Sequence, residues 1–106
     1  MERKVKRLVK KVKEYLEDRY GSENIEVILY GSHARGDAGE ESDIDLLVVV
    51  AEGLNPKLVR DALSELLLDI LLETGELVSV IVLTREFFES RRYPFILNVK
   101  REGLRV

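Results

Sequence analysis

Two aspartates two residues apart, Asp43 and Asp45, open a stretch that is otherwise apolar as far as Val50. On a strand their side chains would leave the same face, with Cα atoms roughly 6.5–7 Å apart. That spacing lets both carboxylates share one hard cation, or hold a metal pair about 3.5–4 Å apart. Aspartate suits a strand interior poorly, so its double use there needs a reason. Ile44 and Leu46 point the opposite way, into a core, and this register turns the aspartates toward a cleft. Two carboxylates in a cleft repel each other, and a divalent cation relieves that repulsion. Taken alone, an Asp-x-Asp is more often a surface turn.

A second group of candidates lies just upstream. Gly31-Ser32 ends the apolar run Ile25 to Tyr30. A glycine there lets a ligand approach the backbone, and the N–H groups that follow can face an anion. The Ser32 hydroxyl offers one more hydrogen bond to a phosphate oxygen. The loop can therefore hold a triphosphate tail while the aspartates hold the metal that bridges its oxygens. Nucleotidyl transfer is mostly positioning and electrostatic stabilisation, and these parts supply both. Arg35 has two open uses: contact with phosphate or acceptor, or a salt bridge to Asp37 or Asp43 that shapes the loop. The single histidine, His33, adjoins the loop but acquires no role from its type alone.

These residues need elements to position them. Val5, Leu8, Val9, Val12, Tyr15 and Leu16 recur at helical spacing, so residues 2–20 read as an amphipathic helix stopped by Gly21. Residues 25–30 and 43–50 read as strands, joined by a glycine-rich loop with room for one helical turn. The later part of the second strand is apolar at every position, as expected where both faces are covered. Asn55-Pro56 opens a long helix, with asparagine as cap and proline at the first position, and Gly75 closes it. Leu58, Val59, Ala62, Leu63, Leu66, Leu67, Ile70 and Leu71 form its expected core stripe, and Leu68 and Leu72 lie off it. Leu77 to Leu83 is a third strand. A short helix capped by Thr84, a last helix over 95–102 and a closing edge strand over 104–106 complete the chain. The expected fold is α/β: a small mixed β-sheet with helices packed on one face, as a single domain over residues 1–106.

Composition narrows the functions. Hydrophobic residues make up 45% and charged ones 35% of 106 residues, the balance of a globular protein. No apolar run approaches the roughly 20 residues of a membrane helix, so no membrane role is expected and the cytoplasm is the default location. With no cysteine and one histidine, thiolate and histidine-cluster metal sites are excluded. The net charge of −3 argues against binding along a nucleic-acid backbone, which draws its affinity from a basic excess.

Gly31-Ser32, ten intervening residues and then Asp43-Ile-Asp45 opening a strand together resemble the signature of the polymerase-β-type nucleotidyltransferases. The fuller string Gly31-Ser-x-Ala-Arg-Gly36 with Ser42-Asp-Ile-Asp-Leu46 is similar to the minimal nucleotidyltransferase branch. The resemblance implies that Asp43 and Asp45 bind Mg2+ and the triphosphate, most naturally of ATP, and that Gly31 and Ser32 hold its terminal phosphates. It also implies a separate helical partner of the HEPN type, adenylylated in several such toxin–antitoxin pairs. The wider family carries a third carboxylate on the next core strand, where this chain has Ser79 as its only polar interior residue. Glu76, just before that strand, is a candidate substitute. Serine is no general base at neutral pH, so two readings stand. One is an active transferase of NMP to a hydroxyl. The other is a catalytically weak or inactive module that binds a helical partner, with Leu68 and Leu72 as its seam. Self-pairing through the closing strand stays open.

Overall fold

The computed structural model describes residues 2–106. Helix α1 spans Arg3–Tyr20 and leads through a short 3-10 turn to strand β1, Ile25–Tyr30. A single helical turn, α2 (Ser32–Arg35), precedes β2, Ile44–Val50. Helix α3 (Pro56–Thr74) connects β2 to β3 (Val78–Thr84), and α4 (Arg85–Ser90), α5 (Pro94–Glu102) and β4 (Leu104–Arg105) finish the chain. The sheet order is β3-β2-β1-β4. β1 runs antiparallel to β2 and β4, whereas β2 and β3 are parallel. A parallel neighbour cannot be reached by a tight turn, and α3 is the crossover it requires. Its start and stop are the expected ones. The Asn55 side chain accepts hydrogen bonds from the Lys57 and Leu58 amides, and Gly75 closes the helix in a left-handed conformation.

The two faces of the sheet are built differently. Ile44, Leu46, Val48 and Val50 of β2 pack with Val27 and Leu29 of β1 against α1 and α3, through Val9, Val12 and Leu16 on one helix and Val59, Leu63 and Ile70 on the other. Leu47 and Val49 point the other way. The expectation of helices on one face holds for the two long helices and is corrected by the two short ones. Phe88 of α4 and Ile96 and Val99 of α5 cover Leu47, Val49 and Ile28 on the opposite face. The reason is visible in the later part of β2, where the outward Leu47 and Val49 are as apolar as the inward residues and would otherwise be wet.

The stripe on α3 is narrower than expected. Val59, Leu63, Leu67 and Ile70 are buried, while Leu58 is 63% exposed and Leu71 37% exposed. Leu66 is partly buried and packs against the same core, whereas Leu58 lies about a quarter turn away from Val59. Among the described residues no helix is long and apolar enough to cross a membrane.

Candidate active site

Asp45 lies on the face that α4 and α5 only partly cover. In register it faces Tyr30 of β1 on one side and Ser79 of β3 on the other. β2 begins at Ile44, so Asp43 is not within the strand as expected but in the residue before it. It is exposed, and Asp45 is half-buried. The two carboxylates nevertheless feel each other. The Asp45 carboxyl titrates above the ordinary aspartate value, first because burial penalises its charge and then because Asp43 adds a second negative charge. His33 and Arg35 pull it down without cancelling the rise. The Tyr30 hydroxyl is also held above its usual value, by burial and then by the Asp45 carboxylate.

Gly31 brings the preceding strand against this pair. Its φ of 76° belongs to the left-handed half of the map, where a side chain is strained. A Cβ on it would lie 2.5 Å from Asp45 Oδ2, so the aspartate occupies the space that any other residue would fill. The turn that follows is closed by the Ala34 and Arg35 amides, which donate to the Gly31 carbonyl at 3.1 Å, and by the Gly36 amide, which donates to Ser32. The amides of Ser32 and His33 open the turn and have no acceptor within it. His33 has a use that its type did not reveal. Its Nε2 donates to the Ser42 carbonyl at 3.2 Å and ties the helical turn to the residue before Asp43.

Arg35 makes a loop-shaping contact. Its Nε donates to Asp37 Oδ2 at 3.2 Å, and its Nη1 lies 3.7 Å from Glu102 on α5. Asp43 is not among its salt-bridge partners. Glu76 pairs with Lys4 of α1 at 2.6 Å, which holds it toward the side of the sheet that α1 covers. It also lines a cavity with His33, Gly39 and Glu40 of the motif loop. Ser79 is directly across from Asp45 and exposed, but carries a hydroxyl. Among the described residues no group of three or more His, Cys, Asp or Glu side chains is gathered for a metal ion. Gly31 and Asp45 thus meet, Asp43 and Arg35 are near enough to act on the Asp45 carboxyl, Ser32 follows Gly31 in the chain, and nothing acidic joins from β3.

Residues 9–103 match the sequence profile of the nucleotidyltransferase domain. The chain belongs to the nucleotidyltransferase domain family. A Methanocaldococcus jannaschii protein carrying the provisional name protein adenylyltransferase is 36% identical over 98 residues, covering 89% of this chain and 92% of that one. Among solved structures, a toxin–antitoxin crystallised with AMP-PNP shares the fold with a TM-score of 0.61 at 21% identity, over 93% of this chain and 69% of its own. A Sulfolobus solfataricus protein given the provisional name nucleotidyltransferase aligns with a TM-score of 0.50 at 25% identity, over 95% of this chain and 80% of its own. The four-stranded mixed sheet and its helices match the nucleotidyltransferase fold.

Proposed function

We propose that this nucleotidyltransferase domain moves a nucleoside monophosphate from a magnesium-bound nucleoside triphosphate to a hydroxyl of an acceptor, with AMP from ATP as the transfer and a protein as the acceptor. The observation that carries the proposal is the convergence of Asp43 and Asp45 beside the bare backbone of Gly31. Hard carboxylate oxygens suit magnesium, which binds through one or two protein carboxylates and takes phosphate oxygens and water for the rest. The names of the M. jannaschii relative and of the AMP-PNP-containing neighbour point to adenylyl transfer and to ATP.

In the reaction, the acceptor oxygen bonds to the α-phosphorus and the bond from that phosphorus to the bridging oxygen breaks. Pyrophosphate leaves with the electron pair. Bound magnesium would neutralise charge that builds on the phosphate oxygens. Gly31 leaves room for the triphosphate against the strand end, and the Ser32 hydroxyl can donate to a terminal phosphate oxygen. His33, through Ser42, holds the loop from which Asp43 projects. Ser79 cannot take the acceptor's proton at neutral pH, so that proton leaves to water or to a base that the acceptor brings.

The test is calorimetric titration with Mg2+ and ATP, beside Asp43→Asn/Asp45→Asn. Binding should require Mg2+ and weaken by a factor of about 10 or more in the mutant, equivalent to roughly 1.4 kcal/mol. Equal binding by both proteins would remove the site.

A second reading is favoured by Ser79 and by the leucines on the outer side of α3. Leu68 is 52% and Leu72 74% exposed. In that reading the domain is a weak or inactive transferase that neutralises a helical partner of the HEPN type through this seam. Leu68→Ser/Leu72→Ser should then abolish complex formation, while the double aspartate mutant should still bind and protect.

A further inference from the structure

Beside Gly31, between the end of β1 and α5, lies a cavity of about 210 Å³ lined by Tyr30, Gly31, Arg35, Phe95, Asn98 and Glu102. We infer that this cavity receives the nucleobase of the triphosphate, stacked on Phe95 and hydrogen-bonded by Asn98. The inference rests on the reading of Asp43 and Asp45 as the metal–triphosphate site.

Position is the first argument. Gly31 is shared: one side of its backbone faces the Asp45 carboxylate, and the same residue lines the cavity. A nucleotide whose phosphates lie at the strand end can therefore reach the cavity without leaving the protein surface. A larger cavity, of about 360 Å³, is lined by Glu2, Glu40 and Glu76 together with His33, and its Lys4 is already paired to Glu76. Three carboxylates there disfavour a polyanion.

Chemistry is the second. Ligand sites for whole drug-sized molecules occupy about 300–1,000 Å³, so the smaller space suits one ring system and not a whole nucleotide. Tyr30 and Phe95 meet edge to face, with ring centroids 5.3 Å apart and planes at 87°. That contact fixes the Phe95 ring, which remains 37% exposed and available to a flat aromatic ligand. Asn98 and Glu102 follow one turn apart on the same side of α5. The Asn98 side-chain oxygen already accepts from Arg101 at 2.9 Å, which leaves its NH2 as the group available to donate. Glu102, held by Arg35 and Arg101, offers acceptor oxygens beside it. A donor next to an acceptor is what the hydrogen-bonding edge of a nucleobase complements.

The experiment compares ATP with inorganic tripolyphosphate, which has the phosphates but no base, each titrated with Mg2+ into wild type, Phe95→Ala and Asn98→Ala. Loss of a base–aromatic stack costs about tenfold or more in affinity. Phe95→Ala should weaken ATP by that factor and leave tripolyphosphate unchanged, and Asn98→Ala should do the same to a smaller extent. Asn98 is exposed, so its variant keeps the test sharp if Phe95→Ala disturbs the fold, which a thermal melt would show. Asp-dependent ATP binding that both variants leave intact overturns this inference alone, as does an equal loss for both ligands in Asn98→Ala. No binding of either ligand by wild type overturns the carboxylate reading and this inference with it.

Discussion

The two faces of the sheet use the same strands for opposite ends. On the face under α1 and α3 every inward residue of β2 is apolar and fully buried, from Ile44 to Val50. On the other face β2 begins with Asp45, and cover arrives only farther along, where Phe88, Ile96 and Val99 meet Leu47 and Val49. The uncovered end also exposes Ser79 and Ile81 of β3. One face is organised for burial, and the other leaves a carboxylate half-buried beside a second one, where its charge is disfavoured. Such an arrangement sacrifices stability at a place where a ligand can restore it.

The largest expected effect lies on the closed face. Leu63→Ala removes a fully buried side chain between α3 and the sheet and should destabilise the fold by about 2–5 kcal/mol in denaturant titration. A much smaller loss would mean that this face is not the main core.

Gly31→Ala comes next. The new methyl would meet Asp45 Oδ2 and sit on a backbone at positive φ, at a cost of roughly 1–2 kcal/mol. It should also weaken Mg2+–ATP binding, whereas Leu63→Ala should spare binding in whatever fraction stays folded. Stability and binding measured on the same samples separate the two faces.

The effect of Asp45→Asn has an unusual sign. Folding raises the Asp45 pKa above its ordinary 3.8, so the folded chain holds that proton more tightly than the unfolded one. The group's contribution to stability is fully present below 3.8 and is lost as pH rises through the raised value. At neutral pH the ionised carboxylate therefore opposes folding. Asp45→Asn should melt higher than wild type near pH 7, with the difference closing below pH about 4, while nucleotide binding is lost. A lower melting temperature at neutral pH would show that the carboxylate is structural.

The smallest effect is expected from Ile81→Thr on the open end of β3, where the side chain is 40% exposed. Its stability change should stay within about 0.5 kcal/mol. A loss comparable to that of Leu63→Ala would mean that the open face is covered in solution, and a measured molecular mass would then show whether a second copy covers it.

Much of this architecture can be read along the chain because its signals are local. Helix spacing, the Asn55-Pro56 start and the Gly75 stop depend on residues within a turn or two of each other, and α1 and α3 lie where those signals put them. The order of the strands and the nearness of Gly31 to Asp45 are different in kind. They depend on Tyr30 pairing with Asp45 across an antiparallel ladder. The burial of Leu63 and the exposure of Leu58 on one apolar helix likewise depend on which arc meets the sheet. Residues far apart in sequence left the least trace. Phe95, Asn98 and Glu102 carry no motif, and only the return of α5 across the end of β1 brings them to Gly31.

The sequence by itself determined the helix and strand inventory and a Gly-Ser…Asp-x-Asp signature, because spacing and residue type act over a few positions. Tertiary structure alone decided that Glu76 turns to Lys4, that Ser79 faces Asp45, and that α4 and α5 cross to the second face. Those outcomes depend on sheet parity and on competition for burial between distant segments, and neither is encoded in any short stretch of the chain.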